Sequence, residues 1–168
     1  KLPWDGESVG ELVVQGDTIM AGYWNRSEET NQAFRNKWFH TGDMATINPD
    51  GYIQIVDRKK DIIISGGENI SSLEIENVLT SHPAILECAV IPIPDPLWGE
   101  TPTALVVLKD NCQASKKELF DHCRTQLANF KIPTNIKFLD FLPKGGTGKI
   151  LKRELKKRYG ASSEKITY

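Results

Sequence analysis

The sequence is poor in the residues that build metal centres and covalent frameworks, with three cysteines and three histidines in 168 residues. Cys88, Cys112 and Cys123 are odd in number, widely spaced and never in a C-x-x-C pair. That argues against a zinc site or a disulfide framework and suits a reducing compartment. His40, His82 and His122 lack metal-ligand spacing, and no Ser-His-Asp order can be argued. No apolar run approaches the roughly 18 to 20 residues that span a bilayer, and no signal peptide is visible. The final "KITY" is not a peroxisomal address, so the cytoplasm is the expected compartment. A formal net charge of −1 supplies no global field to attract nucleic acid or an anionic membrane. Repeats and low-complexity tracts are also missing.

What is present is ordinary for a globular chain: 39% hydrophobic and 26% charged residues. The length fits one domain, or one domain plus part of another. The opening "KLPWDGESVGELVVQG" starts in strand-like alternation with no domain start, as a piece of something longer would. "ELVVQG" and "TIMAGYW" read as short apolar strand segments, and "SEETNQAF" as a helix with Ser27 at its N-cap. "WFHTGDMATI", the turn formers Asn48-Pro49-Asp50-Gly51 and "YIQIVD" predict a hairpin.

The stretch "DRKKDIIISGGENISS" then sets a charge run against an apolar strand, Ile62 to Ser65, and a Gly66-Gly67 break. Ser71 with Glu74 forms a capping-box pattern that opens a helix with Ile75, Val78 and Leu79 on its apolar face. "ECAVIPIPD" and "TALVVLK" read as strands joined by a Pro-, Trp- and Gly-containing loop. Ser115 with Glu118 repeats the capping box ahead of Phe120, Cys123 and Leu127. "NIKFLDF" is a strand, "PKGGTGK" a loop, and "ILKRELKKRY" a basic helix. The expected fold class is α+β: a β-rich segment over 1–57, a linker over 58–60 and a compact α+β unit over 61–168.

Three loops could carry chemistry. Asp43 follows Thr41-Gly42 in an expected tight turn, where a carboxylate could bind a vicinal diol such as a ribose or simply cap its own turn. "KGGTGK" is not a phosphate-binding P-loop, because Pro143 and Ile150 stand where Gly and Ser/Thr are required. It presents Lys149, which could neutralise a phosphate or carboxylate or remain a solvated surface lysine. Gly66 and Gly67 permit positive φ and close approach of a ligand, or a plain strand-end turn. The basic helix is interrupted by Glu154 and has no aromatic ladder, so a solvated amphipathic helix is expected rather than a nucleic-acid surface.

Taken in order, "GYWNRSEETNQAF", "WFHTGDMATINPDGYIQIVDRKKDIIISGGENISSLEIE", "HPAILECAVIPIPDPLWGE" and "PKGGTGKILKREL" closely resemble the C-terminal part of the acyl-CoA synthetase, adenylation-domain and luciferase superfamily. The resemblance runs from about Gly10 to Arg158. It implies the end of a large N-terminal domain followed by a small mobile lid domain. It also implies conversion of a carboxylic acid, often a fatty acid, with Mg-ATP to an acyl-adenylate and pyrophosphate, then capture by coenzyme A. On that resemblance Asp43 and Arg58 meet the nucleotide ribose, and Lys60 stands at the hinge, where Asp and Lys both occur in the family. Gly66 and Gly67 line the pantetheine tunnel, and Lys149 is the adenylation lysine. ATP and coenzyme A are the implied substrates, with the Mg2+ ligands mainly in a missing N-terminal part. The family's Ser/Thr/Gly-rich phosphate loop and its acyl pocket are absent from this sequence, so the chain alone is expected to be inactive. A carrier-loading adenylation module or a non-catalytic interaction domain stays open as an alternative. The first would need a carrier domain after Lys149; the second predicts loss of Lys149 or Asp43.

Overall fold

The computed structural model describes residues 1–160, and the chain divides into two compact units, Lys1–Lys60 and a second from Asp61 onward. The first unit contains β1 (Gly10–Val14), α1 (Ser27–Ala33), β2 (Phe34–Arg35), β3 (Trp38–Ile47) and β4 (Ile53–Arg58). All its strands are antiparallel and gather on β3, which pairs with β1, β2 and β4. The β3–β4 turn is the expected one. Asn48 accepts the Gly51 N–H through its carbonyl and the Tyr52 N–H through Oδ1, and Gly51 has φ +87°.

Two local expectations fail here. "TIMAGYW" lies in a loop over residues 15–26, not a strand. Its backbone donors go to a turn (Ile19 N–H to Gly16 O) and to the Thr30 hydroxyl (from Tyr23 N–H, 3.0 Å) instead of to a sheet ladder. Helix α1 is preceded by Arg26 as its cap residue, with no side-chain cap bond, so Ser27 is its first helical residue.

The second unit contains β5 (Ile63–Ser65), β6 (Glu68–Ile70), α2 (Ser72–Thr80), β7 (Ile85–Asp95), β8 (Gly99–Leu108), α3 (Lys116–Arg124), a 3-10 turn at Asn129–Lys131, β9 (Asn135–Phe138) and α4 (Lys152–Tyr159). The sheet runs β6-β5-β8-β7, with β9 parallel to β8 and the other pairs antiparallel. Both serines cap their helices: Ser71 Oγ accepts the Glu74 N–H at 3.1 Å and Ser115 Oγ the Glu118 N–H at 3.2 Å.

Side chains alternate across β7 and β8 and bury both faces. Cys88, Val90, Ala104 and Val106 pack with Ile75 and Leu79 of α2 and Leu119 and Cys123 of α3. Ala89, Ile91, Leu105 and Val107 pack on the other face with Leu142 and Leu155. Ile75, Leu79 and Leu119 are fully buried, each stabilising the unit by roughly 1.5–3 kcal/mol.

The sheet is more extensive than the sequence pattern suggests. β7 and β8 form one long hairpin from Ile85↔Leu108 to Asp95↔Gly99, with only Pro96, Leu97 and Trp98 between them. Pro92 and Pro94 are tolerated because β7 is an edge strand and they share the parity of Val90. The Val90 N–H points away from β8 and donates to Glu76 Oε1 at 2.7 Å. The glycine break is followed by a further strand, β6, before α2 begins.

Candidate functional site

In the first unit Asp43 lies within the continuous ten-residue β3 and not in a tight turn. Gly42 takes φ +73°, and the β1–β3 register slips between Glu11, opposite Met44, and Val13, opposite His40, so a bulge in β3 re-aims the strand without ending it. Asp43 stands opposite Arg58, and Arg58 Nε lies 2.8 Å from Asp43 Oδ1. Arg58 is therefore the last residue of β4 and not part of a linker. The pair holds one carboxylate oxygen and leaves Oδ2 without a hydrogen bond among the described residues.

Lys59 is also anchored. Its N–H donates to Gly42 O at 2.8 Å, and its Nζ lies 2.9 Å from Glu11 Oε2, which His40 Nδ1 approaches to 3.0 Å. Lys59 first and His40 second hold the Glu11 carboxyl below its ordinary range. Residues 59–61 form a turn, not an extended linker. Lys60 is exposed, whereas Asp61, the first residue of the second unit, is buried and lies 2.9 Å from Lys156 Nζ.

In the second unit Gly66 and Gly67 have φ of +59° and +89°. They form the two-residue turn of the β5–β6 hairpin, where two successive positive φ values are required. Gly66 N–H donates to Trp98 O at 2.8 Å. A Cβ on Gly66 would meet Trp98 Cε3 at 2.8 Å, so the indole lies against bare backbone. Trp98, Leu97 and Ile64 are all more than half exposed around this turn. Their proximity was not legible in the sequence, since it depends on Ser65 pairing with Gly99.

Lys149 is on the returning limb of a small hairpin, not at its tip. Lys144 bridges Ile150, Gly145 N–H donates to Lys149 O at 2.9 Å, and Leu151 N–H to Pro143 O at 2.8 Å. The Lys149 side chain is exposed. Lys144 anchors the hairpin to Glu87 at 2.6 Å, and Glu87 stands opposite Val107. The glycine turn is tied instead to Trp98 and Gly99, at the closed end of the β7–β8 hairpin. Eight residue steps separate Gly99 from Val107, about 27 Å along the strand at about 3.4 Å each. The two elements therefore stand at opposite ends of one sheet and do not share a patch.

The basic helix is not simply solvated. Lys152 Nζ lies 2.7 Å from both Ser72 Oγ and Glu76 Oε1, in a pair whose side chains are only 17% and 14% exposed. Burial pushes the Cys88 thiol far up, with the Glu76 charge adding to it, and raises that of Cys123 to about 11. Neither supplies a thiolate. Among the described residues no three His, Cys, Asp or Glu side chains gather closely enough to hold a metal ion. No described helix is long and apolar enough to cross a membrane. The "KITY" terminus lies outside the described residues.

An α+β unit with a lysine-bearing hairpin at one end of its sheet and a glycine turn at the other, following a strand pair that holds an Asp–Arg contact, has the form of the C-terminal region of an adenylate-forming enzyme. Comparison with known proteins supplies the family. Residues 74–149 match the sequence model of the AMP-binding enzyme C-terminal domain, and the relatives that the chain resembles over 90% or more of its length are CoA ligases. It is 46% identical over 162 residues to trans-cinnamate:CoA ligase, peroxisomal, of Petunia hybrida, covering 95% of this chain and 28% of that protein. It is 50% identical over 151 residues to feruloyl-CoA synthase of an Amycolatopsis species, covering 90% and 31%. The o-succinylbenzoate CoA synthetase of Bacillus subtilis, solved with its acyl-adenylate intermediate, superposes with a TM-score of 0.84 at 40% identity, covering 90% of this chain and 31% of that one. The chain thus spans about 30% of the length of the relatives it matches.

Proposed function

We propose that this chain is the nucleotide-closing C-terminal portion of an AMP-forming acid–thiol ligase. The ligase converts a carboxylic acid, ATP and coenzyme A to an acyl-CoA, AMP and pyrophosphate through an acyl-adenylate. Asp43, steadied by Arg58, accepts hydrogen bonds from the ribose hydroxyls. Lys149 places its ammonium where negative charge gathers as the acid carboxylate attacks the α-phosphate. Gly66 and Gly67 offer flat backbone to the pantetheine arm, and Lys60 is the pivot between the two units. Mg2+ would arrive with the nucleotide; the described residues offer it no ligand cluster, and no role proposed for them depends on it. The large domain of the same protein is the partner that supplies the phosphate loop and acyl pocket.

The observation that supports this most is the placement of Lys149 and Gly66-Gly67 at opposite ends of the β7–β8 hairpin. One rigid unit carrying two reagents anchored about 27 Å apart along β8 must turn to bring each to a shared cleft, as domain-closing enzymes do. The relatives named for cinnamate and ferulate put aromatic acids beside fatty acids in any substrate screen.

The test is Lys149→Ala in the full-length ligase. ATP–pyrophosphate exchange should fall by roughly a hundredfold or more, in the range seen for removing one transition-state donor. Thioester formation from pre-made acyl-adenylate should survive. An equal fall in both half-reactions would refute the two-ended reading.

A further inference from the structure

We infer that Lys152 is a positioning residue for Lys149, clasping α4 and the preceding hairpin to α2 across the free edge of the sheet. The inference rests on the adenylation role proposed for Lys149. It starts from the weakness of α4 as an independent element. The helix has eight residues and no side-chain N-cap bond, and so short a helix has little stability of its own. Its direction is set by what it docks against.

Three attachments fix it. Leu155 is buried among Ala89, Ile91, Leu105, Val107 and Leu142 on one face of the sheet. The next residue, Lys156, pairs with buried Asp61. At the helix start Lys152 reaches Ser72 and Glu76 of α2, the helix that packs on the opposite face. Glu76 Oε1 also accepts the outward Val90 N–H of edge strand β7. The Lys152–Glu76 contact thus wraps the sheet edge and joins its two outer layers.

Lys152 stands three residues after Lys149, at most about 10 Å of chain. The intervening backbone is held by the Lys144–Ile150 bridge and the Leu151 N–H to Pro143 O bond. A tilt of the first turn of α4 is therefore passed to the Lys149 limb with little slack. A lysine that must meet a transition state is sensitive to displacement on the order of 1 Å, which can cost a hundredfold in rate. The same helix is tied through Lys156 to Asp61, next to the proposed pivot, so pivot exit and lysine hairpin ride on one rigid body.

The experiment compares Lys152→Met, Lys152→Arg and Lys149→Ala in the full-length ligase, with the two half-reactions measured separately. K152M is expected to lower kcat for ATP–pyrophosphate exchange ten- to a hundredfold, with the ATP KM changed less than threefold. Thioester formation from pre-made adenylate should stay within twofold, and K152R should restore most of the exchange rate. In the 168-residue chain, NMR relaxation of Gly145 to Ile150 should show faster motion in K152M and not in K152R. Should K152M fail to fold, Glu76→Gln removes the same charge tether while keeping an acceptor for Val90 N–H, with the same expectations. Exchange within twofold of wild type in the folded variant, or an equal loss of both half-reactions, overturns the inference. If K149A itself retains exchange, the adenylation assignment fails. If K149A is inactive and K152M is not, only the clasp fails.

Discussion

Arg58 and Asp43 face each other across the β3–β4 ladder, with the guanidinium Nε 2.8 Å from the carboxylate Oδ1. Arg58 is more than half exposed, so the pair adds little to stability, roughly 0.2–1 kcal/mol. Its consequence is geometric, since it fixes one carboxylate oxygen. Asp43→Asn in the full-length ligase should therefore leave the fold intact and raise the ATP KM about ten- to a hundredfold, matching the roughly 1.5–3 kcal/mol of hydrogen bonds to a charged group. Steady-state kinetics at varied ATP would check it. An unchanged KM would remove Asp43 from the nucleotide site.

The two glycines of the β5–β6 turn should not be equivalent. Both need positive φ, which costs an alanine roughly 1–2 kcal/mol. A Cβ on Gly67 meets nothing within 4 Å, whereas one on Gly66 runs into the Trp98 ring. Urea denaturation should show both variants destabilised, Gly66→Ala more than Gly67→Ala. The indole NMR signal of Trp98 should move clearly only in G66A. Equal shifts in both would mean that the ring does not rest on Gly66.

Acid should loosen the first unit through Glu11. Its carboxyl is held below its ordinary value of 4.5, by Lys59 most and then by His40. A carboxyl depressed in the folded state favours folding while ionised. That contribution is complete above about the ordinary value and lost as pH falls through the lower folded one. Glu11→Gln should be less stable than wild type at neutral pH by a small amount, roughly 0.2–1 kcal/mol for a pair with an exposed partner. The gap should close below pH 4. A gap that persists at pH 2 would show that packing, not charge, is the cause.

What could be read in advance follows the range of the interactions involved. The Ser71 and Ser115 caps and the Asn48–Gly51 turn are legible because donor and acceptor are within four residues. Strand β6 is hidden because three residues, "ENI", hold no period. The start of β8, Gly99 to Pro102, is masked because its Gly and Pro read as part of the loop that joins the two strands. Asp43 has the expected identity in an unexpected setting, since a strand bulge and a turn both begin with glycine at positive φ. The Lys152–Ser72 contact joins residues 80 positions apart, and nothing local in "KREL" distinguishes a clasped lysine from a solvated one.

The turn at residues 59–61 brackets the proposed pivot. Lys59 is bonded back to Gly42 and Glu11, and Asp61 is buried against Lys156. The proposed pivot, Lys60, stands between these two held residues, where a hinge would take up a change in φ and ψ. Proline at 60 would lock φ near −65° and disfavour the helical region for Lys59. Lys60→Pro in the full-length ligase should therefore slow the half-reaction whose domain orientation lies outside that range by tenfold or more, about 1.4 kcal/mol in the barrier. The other half-reaction should remain within twofold and the melting temperature nearly unchanged. Single-turnover assays of adenylate formation and of thioester formation separate the two. If both steps proceed at wild-type rates with proline in place, the rotation is not centred at this residue, and a pivot would have to be sought where the Lys59 or Asp61 contacts can open.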